Sequence, residues 1–571
     1  MGSTGWTWLL VLATFGLYLA VAILWKVRSG ASYYVAERRT HPALEGMATG
    51  TDWISAASFL SMAGVVALSG RDGAAWIMGW TGGYVLLAVL LAPYLRKYGK
   101  YTVTQFVGER YYSSGARLVA LLCAVLVSFF YVVGQLRGVG VVLARLLEVP
   151  LGAAIAWGAL ATFLFVLVGG MKGITASAVA QYLVLIAAFL VPAVLSSSFL
   201  TGSAVPQLGL SGRLTTEGAA LLHGAPGEGL VAAVDRLGVE LGFPPYTGGW
   251  HPRLEAVALA ASLMFGTAGL PHIVIRFFTV PKIRDARATA AWALVFIAVL
   301  YLTAPAVAVF ARAHLLGSLH GRAHAEAPAW VGAWERTGLV GFTDRDGDGR
   351  MTVSGDPARN EVRVDPDVLV LAHPEMAGLP PWVIGLVAAG ALAAALGTAA
   401  GLVLVIASGF AHDLVRSTFA PRMSERAELS WARFASAAAV AGAAWLAARG
   451  PGNVAQLVAW AFGLAASSFF PAIVLGIFWR RATREGAVAG MVAGTLLTLG
   501  YVVRFGVLDP ARADAAAWWF GISPEGIGAL GMLVALGVAV AVSLATPAPP
   551  ERVQALVAGL RYPREARRPR A

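Results

Sequence analysis

Residues 44–69 read LEGMATGTDWISAASFLSMAGVVALS, a segment long and apolar enough to cross a bilayer yet carrying what a membrane helix normally avoids. It holds a carboxylate, Asp52, and around it Gly46, Thr49, Gly50, Thr51, Ser55, Ser58, Ser61 and Gly64 stand where leucine and isoleucine would be expected. A continuous helix consumes its own carbonyls. Glycine lowers the cost of unwinding, and an unwound turn frees backbone oxygens that can coordinate a cation. The stretch therefore predicts a broken helix, the device with which many secondary transporters build substrate and ion sites at mid-membrane. Small residues also serve close helix packing. An ionisable group inside a span points to function, unless it lies hydrated at a membrane mouth.

The rest of the chain agrees with a membrane setting. Of 571 residues 58% are hydrophobic and 13% charged, with a mean hydropathy of +0.70, which marks a polytopic membrane protein. The single cysteine, Cys123, lies in an apolar run, so an internal disulfide, a cysteine-rich zinc cluster and a thiol redox pair are all excluded. A net charge of +12 would suit nucleic acid. Here the basic residues sit in short segments between apolar runs, so they read as membrane topology and not as a nucleic-acid surface. The first apolar run has no basic segment before it and no small-residue cleavage site after it, so no cleavable signal is expected.

Apolar runs predict thirteen spans, near 6–27, 44–69, 74–95, 117–145, 150–169, 174–199, 252–279, 287–312, 381–411, 434–449, 453–478, 486–505 and 524–546. Odd-numbered spans exit into basic segments: Lys26, Arg28, Arg38 and Arg39; Arg96, Lys97, Lys100 and Arg110; Lys282, Arg284 and Arg287; Arg416, Arg422 and Arg426; Arg480, Arg481 and Arg484; and a tail with Arg561, Arg564, Arg567, Arg568 and Arg570. Short even-numbered exits are poor by comparison, with Arg71 after the second and Arg449 after the tenth. The N-terminus is therefore expected outside and the C-terminus in the cytoplasm, with the chain in the cell's inner (plasma) membrane and the tail a solvated topology signal or an anionic-lipid contact.

Two loops predicted to be external are long. Residues 201–250 are rich in glycine and proline, whereas residues 313–380 are acidic and contain Asp344, Asp346 and Asp348 followed by Gly349. Alternating carboxylates closed by glycine are the first half of a calcium loop, which makes bound structural Ca2+ an expectation. The twelfth position is Gly355, where a bidentate acid belongs, with Asp356 and Glu361 further on. A solvated acidic turn is the alternative.

The seventh span contains Gly266-Thr-Ala-Gly-Leu-Pro-His-Ile-Val-Ile-Arg-Phe-Phe278, so a second interrupted helix is expected five spans after the first. That spacing predicts an all-α fold with an inverted repeat of five plus five helices, spans 2–6 (44–200) and 7–11 (252–478, with the acidic loop). Residues 1–43, the loop 201–251, spans 12–13 (479–546) and the tail 547–571 flank these repeats. His272 and Arg276 share a helix face at that spacing. The fourth span places Tyr131, Gln135 and Arg137 in FFYVVGQLRGVGVV. A buried arginine must be paired, and its planar fork suits a carboxylate, whether of Asp52 or of an anionic substrate; neighbouring carbonyls are the alternative. Gln181 in the sixth span reads as interhelical glue.

With these segments in hand, the sequence resembles the sodium/solute symporter family, whose seventh span has a G-x-P-H-I-x-x-R-F pattern matched by Gly269, Pro271, His272, Ile273, Arg276 and Phe277. Ile54-Ser-Ala-x-x-Phe59, Tyr101-Thr-Val-Thr-Gln-Phe-Val-Gly-Glu-Arg-Tyr111 and Gly169-Gly-Met-Lys-Gly-Ile-Thr175 extend the resemblance over roughly residues 30 to 500. GTAGLPHI followed by RFFTV is most similar to the acetate permease branch, which carries short monocarboxylates; sugar, proline and pantothenate carriers share the fold.

The resemblance implies a Na+ site between the second and ninth spans, built from two carbonyls of the former and a carbonyl plus two hydroxyls of the latter. Aligned through Ile-Ser-Ala and Ala-His-Asp-Leu, these become Thr51 and Ile54, then Ala394, Gly397 and Thr398. Gly397 stands where a serine is usual, so one oxygen is missing; water could complete the site, or another cation be used. The substrate is expected against Asp52, Trp53, Ser58, Tyr131, Gln135, Arg137, Phe265 and Gly269. The reading is a non-enzymatic symporter that imports a short monocarboxylate such as acetate with Na+ by alternating access, in contact with lipid and without an obligatory protein partner. Proton coupling and a proline- or sugar-type solute are its alternatives. A transporter-like receptor is disfavoured by the short tail after Thr546, and a channel by the two broken helices.

Overall fold

In a bilayer every backbone polar group must find its partner within the protein, which leaves helices as the economical solution for an apolar chain without strand alternation. The structure, a computed structural model, describes residues 2–24, 41–98, 102–249, 252–274, 283–420, 422–450, 452–509 and 516–561. Its helices are α1 (Ser3–Leu24), α2 (Pro42–Trp53), α3 (Met62–Ser69), α4 (Ala74–Leu86, continued through a π turn and a last helical stretch to Tyr98), α5 (Val103–Arg110), α6 (Ser114–Leu147) and α7 (Leu151–Thr201). They continue with α8 (Arg253–Gly269), α9 (Ile283–Leu319), α10 (Pro381–Ser408), α11 (Glu425–Ala448), α12 (Val454–Phe478), α13 (Arg484–Val502), α14 (Gly528–Ala545) and α15 (Glu551–Arg561). Among the described residues nine helical stretches are long and apolar enough to cross a membrane, besides the shorter apolar stretch Leu151–Leu167.

Local chemistry sets the ends. Ser113, Thr102, Ser424 and Thr483 cap their helices by accepting a backbone N–H two or three residues inside, and Asn453 with Gln456 forms a reciprocal capping box at the start of α12. α6 stops at Glu148 in the left-handed region, and α7 stops at Gly202.

α7 spans 51 residues, where the sequence predicts two separate spans. A straight helix of that length would reach about 77 Å, far beyond the hydrocarbon thickness of about 30 Å. Its two ends nevertheless meet the same layer. Glu148, just before it, pairs with Arg336, and Ser196, near its far end, bonds His373, both partners lying in the 313–380 segment. The element therefore folds back on itself between its two ends and does not run straight.

The end of the bundle that carries the two long loops is structured. Residues 206–210, 216–221 and 230–240 are helical, and in the second loop β1 (Val340–Phe342) pairs antiparallel with β2 (Val362–Val364), Gly341 opposite Arg363. Ser3, Thr4 and Thr7 line a cavity with Trp334 and Glu375, so the N-terminus lies at this loop end. At the opposite end the tail is not wholly solvated: α15 buries Val553, Val557 and Leu560, and Lys97 Nζ donates to the carbonyls of Gly559 (2.6 Å) and Leu560 (3.1 Å). The start of α1 and α15 thus lie at opposite ends of the bundle.

α10 is the most enclosed helix, with 89% of its most apolar window buried, against 17% for α1. Its alanines and glycines let neighbours approach closely, which is how helices associate when lipid removes the hydrophobic incentive. α10 packs on α7, α6 and α1 and reaches α2, so whatever its buried face presents is delivered to the middle of the protein.

Candidate functional site

Both expected interruptions are present. α2 ends at Trp53, Ile54 leaves helical geometry (φ −76°, ψ 81°), and the chain resumes as a π turn, Ala57–Ser61, before α3. The N–H of Ser55, which would close onto the Thr51 carbonyl in a continuous helix, turns to the Trp53 carbonyl at 2.9 Å. That of Ala56, which would close onto Asp52, donates instead to Gln135 Oε1 at 3.0 Å. Two carbonyls are thereby released from the ladder. α8 likewise ends at Gly269, Leu270 is extended (φ −66°, ψ 119°), and helix resumes at Pro271. Gly266 and Gly269 permit this segment to lie on α12, since a Cβ on Gly269 would come within 2.8 Å of the Ala465 carbonyl.

Tyr131 of α6 bridges the two breaks. Its ring meets the His272 ring edge-on at 5.3 Å, while its hydroxyl is a hydrogen-bond neighbour of Ser55 and lies within electrostatic reach of Asp52, both at the first break. Around it the predicted substrate residues divide into groups. Asp52 is buried at the break, Trp53 packs edge-on against Tyr84 at 5.1 Å, and the hydroxyls of Ser58 and Tyr301 are hydrogen-bonded at 2.7 Å. Gln135 uses its oxygen on Ala56, and its Nε2 is buried without a hydrogen-bond partner. Phe265 stacks near Phe470 at 4.8 Å, one turn before Gly269. Arg276 and Phe277, the remainder of that motif, lie outside the described residues, as do Tyr101, Lys26, Arg28, Arg38, Arg39, Lys100, Lys282 and Arg564–Arg570.

Arg137 is paired, but not with Asp52. Its Nη2 donates to Asp365 Oδ2 at 2.8 Å and its Nε to Asp367 Oδ2 at 3.1 Å, both carboxylates arriving from the loop just after β2. Asp367 is fully buried and also accepts from Ser61 Oγ and from the backbone N–H of Val454, where α12 starts. The hairpin thus delivers Asp365-Pro366-Asp367 onto the second half of the broken helix, where a Cβ on Gly64 would overlap the Pro366 carbonyl. Burial foremost, and then the neighbouring Asp365, push the Asp367 carboxyl up to about 7.

The residues aligned to a sodium site also come together. Thr398 Oγ1 of α10 lies 3.3 Å from the Asp52 carbonyl and 3.1 Å from that of Ala394, so this hydroxyl joins α10 to the unwound turn. Thr51 Oγ1 donates to the Ala178 carbonyl of α7 at 2.7 Å. Gly397 faces Gln181, whose amide makes none of the interhelical bonds expected of it: both Oε1 and Nε2 are buried without a hydrogen-bond partner. Released carbonyls, a hydroxyl and an unpartnered amide oxygen form a donor set that fits a hard monovalent cation.

Asp344, Asp346 and Asp348 bring carboxylate oxygens within 4.8 Å of one another at the exposed tip of the β1–β2 excursion. They are satisfied from within the turn, Asp344 accepting from the N–H groups of Gly347 (2.7 Å) and Gly349 (3.1 Å). Glu361 is engaged elsewhere, accepting from Arg345 and Thr352 N–H.

Comparison with known proteins agrees with this architecture. The family model described as sodium:solute symporter family matches residues 33–327 and 363–494. The chain belongs to the sodium:solute symporter family. An uncharacterized symporter of Cupriavidus necator is 35% identical over 637 aligned positions, covering 96% of this chain and 92% of the relative. Another uncharacterized symporter, of Bacillus subtilis, is 30% identical over 508 positions, covering 88% and 87%. Among solved structures, the substrate-bound outward-open state of a Na+-coupled sialic acid symporter superposes with a TM-score of 0.66 over 95% of this chain and 98% of that one, at 15% identity, which shows a shared fold. The symporter is thus a multi-pass membrane transporter and not an enzyme.

Other functional tethers of the symporter gave less away in sequence. Arg110, at the end of α5, is fully buried and caps the end of α12 through the carbonyls of Gly476 (2.6 Å), Trp479 (2.9 Å) and Ala482 (3.4 Å). Asp413 of the Ala-His-Asp-Leu segment bonds Arg117 at 2.6 Å and Thr104 at 2.9 Å. The 101–111 motif and the 411–414 segment had stood out only as resemblance; their work is to tie helix ends at the face opposite the loops.

Proposed function

We propose that this symporter imports a short monocarboxylate together with Na+, by alternating access around the two helix breaks. The observation that carries sodium coupling is the meeting of the Thr398 hydroxyl with the Asp52 carbonyl, beside backbone carbonyls that Gln135 and Trp53 have drawn out of the helical ladder. Thr51, Ile54, Ala394 and Thr398 would hold the ion, which supplies positive charge at mid-membrane. An ion that binds one conformation better shifts the population toward it by its differential affinity, and the substrate-ready state is the one so favoured.

The anionic substrate follows from the GTAGLPHI motif and from chemistry at the breaks. Half-helix N-termini carry partial positive charge, and Gln135 Nε2 is a buried donor available to a carboxylate. Arg137 enters this reading indirectly: held by Asp365 and Asp367, it would anchor the loop over the path or exchange onto substrate when that loop lifts. The five-plus-five repeat rests on the spacing of the two helix breaks, and the outside N-terminus on the basic segments.

Uptake of labelled acetate, pyruvate, proline and glucose into proteoliposomes, with a sodium gradient or a pH gradient, tests the proposal. Sodium-driven uptake of the monocarboxylates alone is expected. Uptake driven by pH and indifferent to sodium would favour the second reading, proton coupling, for which the buried Asp52 at the break is the supporting observation.

A further inference from the structure

The one position where the aligned sodium ligands fall short is Gly397. Its lost hydroxyl leaves a place in the middle of the protein, and that place is filled. A Cβ built on Gly397 would lie 2.6 Å from Gln181 Oε1 and 3.3 Å from Thr51 Cγ2, so a serine side chain there and the Gln181 amide oxygen compete for the same space. Gln181 is 1% exposed, and neither atom of its amide has a hydrogen-bond partner. An unsatisfied buried amide carries the full desolvation cost of its polar atoms. That cost is offset if the oxygen has a ligand.

The surroundings determine which kind. Gln181 stands one helical turn beyond Ala178, whose carbonyl accepts from Thr51, and Thr51 is the residue whose own carbonyl the break releases. On the α10 side, Thr398 follows Gly397 and touches the Asp52 carbonyl. Every group converging here presents oxygen, and Asp52 of the broken helix is the one residue among them with a carboxylate. A hard monovalent cation suits such a set.

We propose that Gln181 Oε1 is a sodium ligand of this transporter, replacing from α7 the hydroxyl that α10 lacks at Gly397. This deepens the sodium reading above and rests on it. It also gives α7 a part in coupling: the ion links the broken helix, α10 and α7, so leaving the site requires α7 to let go.

The test is equilibrium binding of radioactive 22Na+ to the purified protein in detergent, with melting temperature in sodium against potassium as a second readout. Gln181→Ala should raise the sodium concentration for half-saturation at least tenfold while leaving the melting temperature in potassium within a few degrees. Gln181→Glu keeps the reach, retains an oxygen and adds charge, so it should bind sodium several-fold more tightly than wild type. The double variant Gln181→Ala with Gly397→Ser should recover most of the lost affinity, because the hydroxyl returns to space the amide has left. Wild-type sodium affinity in both Gln181→Ala and Gln181→Glu would overturn the assignment of Gln181 and leave sodium coupling standing. Absence of saturable 22Na+ binding to the wild-type protein would overturn the sodium reading itself.

Discussion

The Nε of Arg137, in the middle of α6, donates at 3.1 Å to the fully buried carboxylate of Asp367, which lies 230 positions further along in a loop. Breaking such a pair from one side is expensive where Asp367 is ionised, because the surviving charge stays buried; the cost is then about 3–5 kcal/mol. Arg137→Gln should therefore lower the melting temperature of the purified protein strongly and make residues near Asp365 accessible to protease. Arg137→Lys keeps charge but loses the fork and should fall between. Restoring neutrality with Arg137→Gln plus Asp367→Asn should recover much of the stability. An Arg137→Gln protein that melts like wild type would show that the loop is held by other contacts.

The same carboxylate gives stability a pH dependence whose sign can be worked out. Asp367 has its pKa raised, by burial first and then by Asp365, from 3.8 to about 7. Between those values the folded protein holds a proton that the unfolded chain has released, so stability falls as pH rises across that window. Below it both states are protonated and the full contribution is present; above it both are ionised and the loss is complete. Melting curves at steps through this range should show the decline in wild type, and Asp367→Asn should flatten it. An unchanged slope in Asp367→Asn would move the effect to another group.

The two helix breaks were legible because their cause is local. Gly46, Gly50, Thr51 and Ser55 in one segment, and Gly266, Gly269 and Pro271 in the other, lower the cost of unwinding wherever those residues sit. Thr398 was legible through resemblance alone. The partner of Arg137 was not, since charge pairing across 228 and 230 positions leaves no periodicity in the sequence, and Asp365 and Asp367 looked like two more acids in an acidic loop. The loop's aspartate run drew attention to the exposed Asp344, Asp346 and Asp348, while the acids that matter to the helices are the buried ones twenty residues on. The 51-residue run of α7 was hidden for a related reason: Gly169-Gly-Met-Lys reads as the opening of a separate span, and only long-range contacts at the two ends show where the element lies.

Among the α10 residues aligned to a sodium site, Thr398 is the one with a side-chain hydroxyl, and it touches the Asp52 carbonyl. Thr398→Ala should raise the sodium required for half-maximal uptake by tenfold or more, with protein yield and melting temperature in potassium close to wild type. Thr398→Ser keeps the oxygen and should stay within about threefold of wild type. Loss of uptake in Thr398→Ala that excess sodium does not restore would indicate a packing role for the residue and not a ligand.

Gln135 is placed to hold the break open. Its Oε1 takes the Ala56 N–H that a continuous helix would aim at the Asp52 carbonyl, so the side chain competes directly with the helical ladder for one donor. With Gln135→Leu that donor has no acceptor except the ladder. Re-forming the bond recovers about 1 kcal/mol, enough to shift the segment toward continuous helix and withdraw the Asp52 carbonyl from Thr398. The expected result is weaker 22Na+ binding together with slower hydrogen exchange at Ala56, the second readout being one that mere loss of a substrate contact would not produce. Gln135→Glu, which keeps an acceptor at the same reach, should leave exchange at Ala56 near the wild-type rate. If Gln135→Leu abolishes substrate binding while sodium affinity and exchange stay unchanged, Gln135 acts on the substrate through Nε2 alone and the break is held open by the rest of the fold.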